Sequence, residues 1–339
     1  MAKIPQPTQH LSAMIDKYHQ DNQEAPRPHL GCSTLGHHCE RWLWLSFRWS
    51  VIEPFAGRIL RLFRRGHMEE DTIIKDLRNV GVDIRDMDKG EQFRVDFGSH
   101  VSGSVDGVIF SGVPSAEGVK HIAEFKTHSK KSFDDLKKGV KASKPMHYAQ
   151  MQVYMLGMNI NRALYVAVCK DDDRLHTERV RLDKPFAEAL VAKGKRIALS
   201  DRMPEPCSGA APDWYLCKWC PAFSMCHKGE PTKQGNCRTC AHSTAMEDST
   251  WRCERHNADN IPLDYQRQGC DSHVPHPDLV PYKRKEADSE WETVYIINGK
   301  DVLCSESGYT GKEIIANPEM CASGDMDELR KAFSGRLIE

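Results

Sequence analysis

Apolar residues recur along the chain at two alternating periods, and those periods predict its elements. In "GHMEEDTIIKDLRNVG", Met68, Ile73, Ile74, Leu77 and Val80 stand at helical spacing and Gly81 supplies a stop, which predicts a helix. Three strand-like runs follow, "EQFRVDF", "GSVDGVIF" and "HIAEFKT", separated by Gly, Ser and Pro. Next come a helix over "KPMHYAQMQVYMLGMN", strands "RALYVAVCK" and "TERVRL", and a helix from Pro185 to about Arg202. Helix, three strands, helix, two strands, helix reads as an α/β fold with a mixed sheet flanked by helices. Near the end, "WETVYIINGKDVLCSE" reads as a hairpin turning at Asn298-Gly299, and "DMDELRKAF" as a terminal helix.

The pattern also divides the chain. Residues 1–30 are Pro- and Gln-rich and expected to be loosely ordered, with one short helix around "LSAMIDKYH"; the main α/β domain is expected over 31–230. "HKGEPTKQGN" reads as a linker into a Cys- and His-rich module over 231–280, and "HPDLVPYKRKEADSE" as a second linker into the hairpin and helix of 281–339. No internal repeat or low-complexity tract interrupts this order.

Apolar residues make up 40% of the 339 and charged ones 28%, so the chain is globular, with room for one large domain and a smaller one. No apolar run approaches the roughly 20 residues of a membrane span, and the N-terminus lacks a secretory pattern. A cytoplasmic location is expected, in the host if the chain is phage-encoded. A net charge of −1 leaves any nucleic-acid surface to local clusters. Arg58, Arg61 and Arg65 fall at i, i+3, i+7, and residues 130–144, beginning with Lys130 and Lys131, hold six lysines against two aspartates.

Within "HIAEFKT", Glu124 and Lys126 share one strand face. Asp106, in the strand before, can approach Glu124, and two facing carboxylates make a hard oxygen site suited to Mg²⁺ or Mn²⁺, with Lys126 beside it. Asp106 followed eighteen residues later by Glu124-Phe125-Lys126 resembles the PD-(D/E)xK nuclease superfamily. Gln150 and Tyr154 in "AQMQVYM" are similar to the QxxxY element of its RecB-like subset, and Gly66-His67 to the helix start carrying a histidine ligand there. The resemblance covers roughly residues 31–230 and implies a restriction-endonuclease-like fold. It also implies metal held by His67, Asp106, Glu124 and the Phe125 carbonyl, with Glu69 and Glu70 as alternatives to His67. Lys126 would position the attacking water, and Gln150 and Tyr154 the phosphate.

Thirteen cysteines in a cytoplasmic chain argue for metal ligation over disulfides. Cys217, Cys220 and Cys226 form C-x2-C-x5-C after the core, with Cys39 as the distant fourth thiol and Cys32 and Cys207 as rivals for that place. This arrangement resembles the iron–sulfur staple of AddB and of CRISPR-associated adaptation nucleases, and implies a structural [4Fe–4S] cluster, with zinc as the other soft-thiolate choice. Trp42, Trp44, Trp214, Trp219 and Phe223 are candidates for its apolar shell. Cys237, Cys240, Cys253 and Cys270 suit tetrahedral zinc, and His242, His256 or His273 could replace one cysteine.

The function expected is a metal-dependent DNA exonuclease preferring single-stranded ends, in recombination, repair or processing. A non-catalytic DNA-binding scaffold and a structure-specific endonuclease are the alternatives. The chain has no G-x-x-x-x-G-K-[ST] motif, so unwinding would fall to a helicase or recombination partner.

Overall fold

The structure is a computed structural model and describes residues 10–333. Residues 1–9 of the loosely ordered segment expected at the N-terminus lie outside that range. Helix α1 (His10–Asp21), strand β1 (Leu30–Gly31) and α2 (Glu40–Phe47) lead into the 23-residue α3 (Gly57–Asn79). Strand β2 (Asp83–Arg85), a ribbon of β3 (Met87–Asp88) and β4 (Glu91–Gln92), then β5 (Arg94–Asp96), β6 (Val101–Ser104), β7 (Gly107–Ser111) and β8 (His121–His128) follow. The single turns α4 (Lys130–Asp134) and α5 (Val140–Ser143) precede α6 (Pro145–Gly157), β9 (Arg162–Cys169), β10 (Leu175–Arg181) and α7 (Lys184–Ala198).

The central sheet has the order β10-β9-β8-β7-β2, with β8 and β9 parallel and the other pairs antiparallel, which is the expected mixed sheet. Both faces are covered, so β8 and β9 are buried along nearly their whole length. On one face Ile73 and Ile74 of α3 pack with Ala123, Phe125, Val166 and Val168. On the other, Met151 and Met155 of α6 pack with Ile122, Tyr165 and Ala167. The Asp183 side chain caps α7 by accepting from the Phe186 N–H at 3.3 Å, with Pro185 in the first turn.

Several elements differ from the sequence reading. "EQFRVDF" is not one strand: it divides into β4, paired with β3, and β5, paired with β6. "GSVDGVIF" is not one strand: β6 pairs with β5 and β1 in a separate sheet, β7 joins the central sheet, and Val105-Asp106 form the passage between them. The stretch read as a linker from His276 carries buried Leu279 and Val280 and the strand β11 (Lys283–Lys285). That strand pairs with the hairpin of β12 (Thr293–Ile297) and β13 (Lys300–Cys304), whose Asn298 and Gly299 both take positive φ, 50° and 78°.

Residues 274–326 carry a core of their own around Tyr295, Ile314 and Met326. Ala245, Trp251, Ile261 and Leu279, by contrast, belong to the main core. Arg238 anchors this stretch. It is 1% exposed, with its guanidinium 3.7 Å from the Trp49 ring centre and also facing Phe47 and Trp251. It donates to the Phe47 carbonyl at 3.0 Å, the Pro28 carbonyl at 2.9 Å and Gln266 Oε1 at 3.0 Å. Among the described residues no helix is long and apolar enough to cross a membrane.

Candidate active site

Asp106 leaves the sheet passage pointing at β8. Its Oδ2 accepts the Phe125 N–H at 3.0 Å and lies 3.8 Å from Lys126 Nζ. Alternation puts Glu124 and Lys126 on the α6 side of β8, and Lys126 Nζ meets Glu124 Oε1 in an ion pair. Glu124 is 0% exposed and its Oε2 has no partner, while the Asp106 side chain remains 14% exposed. The Phe125 carbonyl accepts Lys126 Nζ at 2.9 Å, which leaves one of its lone pairs open.

Burial pushes the Glu124 carboxyl up to about 8, against the pull of Lys126 and with the help of Asp106. Burial alone would lower the Lys126 ammonium, but the Glu124 and Asp106 carboxylates override it and hold it raised. Helix α3 adds Glu70, which is half-buried and raised by burial and by Asp106. Its charge is felt by both Glu124 and Lys126. His67 is exposed, one turn earlier, and couples to the group through Glu70. Three carboxyl groups therefore converge around one ammonium.

Gln150 and Tyr154 are both buried on α6, and Gln150 hydrogen-bonds the Tyr154 hydroxyl. Gly103 of β6 lies beneath that hydroxyl: a Cβ there would stand 3.1 Å from it and 3.0 Å from Cys32 Cβ, so any side chain would crowd Tyr154 and Cys32. The same face holds three residues that sequence reasoning missed: His128 on β8, Tyr165 on β9 and His147 on α6. Their signal was positional, because His128 continues the Glu124, Lys126 alternation and His147 stands three residues before Gln150.

The basic clusters are only partly open. Arg58, Lys130 and Lys131 are exposed, Arg61 is ion-paired with Asp16 of α1, and Arg65 donates to the Lys170 carbonyl at 3.1 Å.

None of the thirteen cysteines forms a disulfide. Cys39, Cys217, Cys220 and Cys226 line one cavity of about 590 Å³, together with Cys207, whose thiol hydrogen-bonds Cys39. Cys32 lies elsewhere, buried against Gly103, so of the two rivals only Cys207 reaches this group. Trp42, Trp219 and Phe223 line the cavity, whereas Trp44 is fully buried and hydrogen-bonds the Ser200 carbonyl, and Trp214 stacks edge-on against His38. A second cavity of about 350 Å³ is lined by Cys237, Cys240, Cys253 and Cys270 with His242, His256 and His273. His256 Nε2 lies 3.6 Å from Cys270 Sγ. Among the described residues, no group of three or more His, Cys, Asp or Glu side chains is arranged so that it could hold a metal ion.

No protein-family model matches the chain, and no curated protein matches it. Solved structures similar in shape include that of SSO0001, 15% identical with a TM-score of 0.39, covering 65% of this chain and 97% of that one. The alkaline exonuclease LHK-Exo from Laribacter hongkongensis is 15% identical with a TM-score of 0.34, covering 51% of this chain and 87% of that one. A phage-related exonuclease from Haemophilus somnus 129PT is 17% identical with a TM-score of 0.28, covering 39% and 66%. At these identities and scores the likenesses assign neither family nor activity to this chain.

Proposed function

We propose that the chain is a metal-dependent deoxyribonuclease of the PD-(D/E)xK, RecB-like kind, acting as an exonuclease on single-stranded DNA ends. The observation that carries this reading is the convergence of Asp106, Glu124 and Glu70 on Lys126, with a fully buried Glu124 oxygen that has no partner. Three carboxyl groups against one ammonium favour a further cation. Asp106 and Glu124, with Glu70 or His67 from α3 and the open lone pair of the Phe125 carbonyl, would hold Mg²⁺ or Mn²⁺. The bound ion supplies Lewis-acid polarisation of the phosphate and activation of water at neutral pH.

Lys126 then turns from Glu124 to the attacking water and the phosphate oxygens. Gln150 and Tyr154 orient the phosphate, and Arg58, Arg65, Lys130 and Lys131 hold the strand. Arg61 joins them once its pairing with Asp16 opens. A helicase or recombination protein would present the ends. Linear single-stranded DNA is expected to be degraded with Mg²⁺ or Mn²⁺ and circular single-stranded DNA to survive. Cutting of the circle would make the protein an endonuclease, and binding of both without cutting would make it a scaffold.

The thiol groups support two structural metal sites. The soft donors around the larger cavity suit a [4Fe–4S] cluster held by Cys39, Cys217, Cys220 and Cys226. Cys207 stands next to Cys39 and could replace it. The Cys237, Cys240, Cys253 and Cys270 group suits zinc, with His256 beside Cys270. Anaerobically purified protein is expected to contain iron and to absorb broadly near ~400 nm, and to lose both in Cys217→Ser, Cys220→Ser. Zinc measured by mass spectrometry is expected to disappear in Cys237→Ser, Cys240→Ser. Iron-free wild type carrying zinc in both groups would overturn the cluster assignment.

A further inference from the structure

One face of the sheet carries more polar chemistry than the nuclease reading uses. Glu124, Lys126 and His128 alternate along β8, and parallel pairing places Tyr165 of β9 directly beside Glu124. Across from them, His147, Gln150 and Tyr154 lie at i, i+3, i+7 along α6, on one side of the helix. The two rows meet at Tyr165. Its hydroxyl lies 2.7 Å from His128 Nε2 and 2.9 Å from His147 Nδ1, and His128 Nδ1 lies 3.1 Å from Ser132 Oγ.

Tyr165 is fully buried and His128 nearly so, but His147 reaches the surface, and its Nε2 has no hydrogen-bond partner among the described residues. Lysines lie close enough for both histidines to feel their charge. Lys126 and Lys144 act on both histidines, and Lys170 on His128. The carboxylate felt by Tyr165 besides Glu124 is Glu178, and its Oε2 is already engaged by the Val140 N–H at 2.9 Å and by His176 at 3.4 Å. Burial, with Lys126, His128 and Lys144, lowers His147 to about 3, so its imidazole is neutral.

A neutral imidazole presents either a proton or a lone pair, according to its other nitrogen. One consistent direction of the chain runs from Ser132 O–H to His128 Nδ1, from His128 Nε2–H to the Tyr165 oxygen, and from Tyr165 O–H to His147 Nδ1. That direction leaves Nε2–H on His147 as an outward donor. We propose that His147, oriented by Tyr165 and His128, is a phosphodiester contact of this site, donating from Nε2 to the nucleotide next to the bond being cut. The proposal rests on the nuclease reading for its substrate, but on geometry for its position. It adds His147 to the Gln150, Tyr154 row as a third phosphate-directed group on α6. Tyr165 and His128 are positioning residues that touch no substrate.

The test is binding without turnover. A labelled single-stranded oligonucleotide and inorganic phosphate are titrated in Ca²⁺ against wild type, His147→Ala, His147→Gln and Tyr165→Phe, each checked for unchanged Tm. His147→Ala is expected to weaken both ligands about 10-fold, the worth of one hydrogen bond to a charged group. His147→Gln should recover most of that loss, because its amide can donate from a similar place. Tyr165→Phe should fall between. Weakening of the oligonucleotide alone would assign His147 to a base or sugar and overturn the phosphate contact.

In wild type, the His147 Nε2 nitrogen resonance should move on adding either ligand, which keeps the test open if a variant fails to fold. Unchanged affinities in a folded His147→Ala, or a stationary resonance, would overturn the proposal. Because nothing is cleaved, the outcome is separable from the enzyme reading. His147-dependent binding by a protein that never cuts DNA would keep this contact and discard the nuclease. Cleavage with His147-independent binding would do the reverse.

Discussion

Asp106→Ala is expected to abolish metal-dependent degradation of single-stranded DNA, by more than about 10³-fold, in a protein that folds normally. A bound divalent ion stabilises the transition state by several kcal/mol, and each 1.36 kcal/mol is a decade in rate. Removing one of the two carboxylates that face it should forfeit most of that. The fold should tolerate the change for identifiable reasons. Asp106 accepts one protein hydrogen bond from a backbone N–H, that of Phe125, worth about 1 kcal/mol net, and its side chain is partly open to water.

Its charge also repels Glu124 and Glu70, and truncation relieves both. These effects oppose each other, so Tm should move by only a few degrees. Truncating Lys126 would be a poorer test, because it removes the ion-pair partner of the fully buried Glu124 and confounds activity with stability. Single-turnover degradation of an end-labelled oligonucleotide with Mn²⁺, beside a thermal melt, makes the measurement. Activity within 10-fold of wild type would remove Asp106 from the site.

Arg238→Ala is expected to be the most destabilising single truncation outside the active site, by about 3–5 kcal/mol. This guanidinium has no carboxylate partner among the described residues: burial, with Arg267 and Arg48, lowers it to about 9, which still leaves it charged at neutral pH. What compensates it is the aromatic enclosure of Phe47, Trp49 and Trp251 and the acceptors of Phe47, Pro28 and Gln266. Truncation leaves those acceptors buried and opens a void among three rings. A fall in Tm of roughly 10 °C is expected by calorimetry, taking about 2–4 °C per kcal/mol. A change under 2 °C would show that the enclosure collapses without cost. Arg238 also sits between Cys237 and Cys240 and grips the end of α2, the helix that Cys39 precedes. Arg238 is thus one of several links between the two stretches that carry the thiol groups, with Arg48 donating to the Arg238 carbonyl and Asn236 to the Trp49 carbonyl.

The sequence was most informative where one period held over a whole element. Helix α6, strands β8 and β9 and the Asn298-Gly299 hairpin were legible because core contacts and turn chemistry agree locally. The break at Val105-Asp106 was not, since alternation persists through it and only the choice of partners, β5 and β1 for β6 but β8 and β2 for β7, reveals two sheets. The start of α3 was hidden because four arginines are interleaved with Ile59, Leu60, Leu62 and Phe63 over Gly57 to Arg65, and none of those four apolar side chains is fully buried. His67 and Glu70 share a side of that helix, and their order along its axis, which decides which one meets Asp106, depends on how α3 crosses the sheet. Leu279 and Val280 look like linker residues until the core that buries them is known. The acid pair, Lys126 and the gathering of both thiol groups were legible as spacing. The His128, Tyr165, His147 chain was not, because it joins three elements with no shared motif.

The passage from β6 to β7 has one more consequence. Asp106 belongs to neither sheet, while Glu124 is fixed within one of them, so their separation measures how the smaller sheet is tilted against the larger. A change far away in β1 or β5 that rocks the smaller sheet by a few degrees would be transmitted to the carboxylate pair as a change in spacing. The junction makes the spacing of Asp106 and Glu124 sensitive to strain between the two sheets, and substitutions that never approach the pair can alter it.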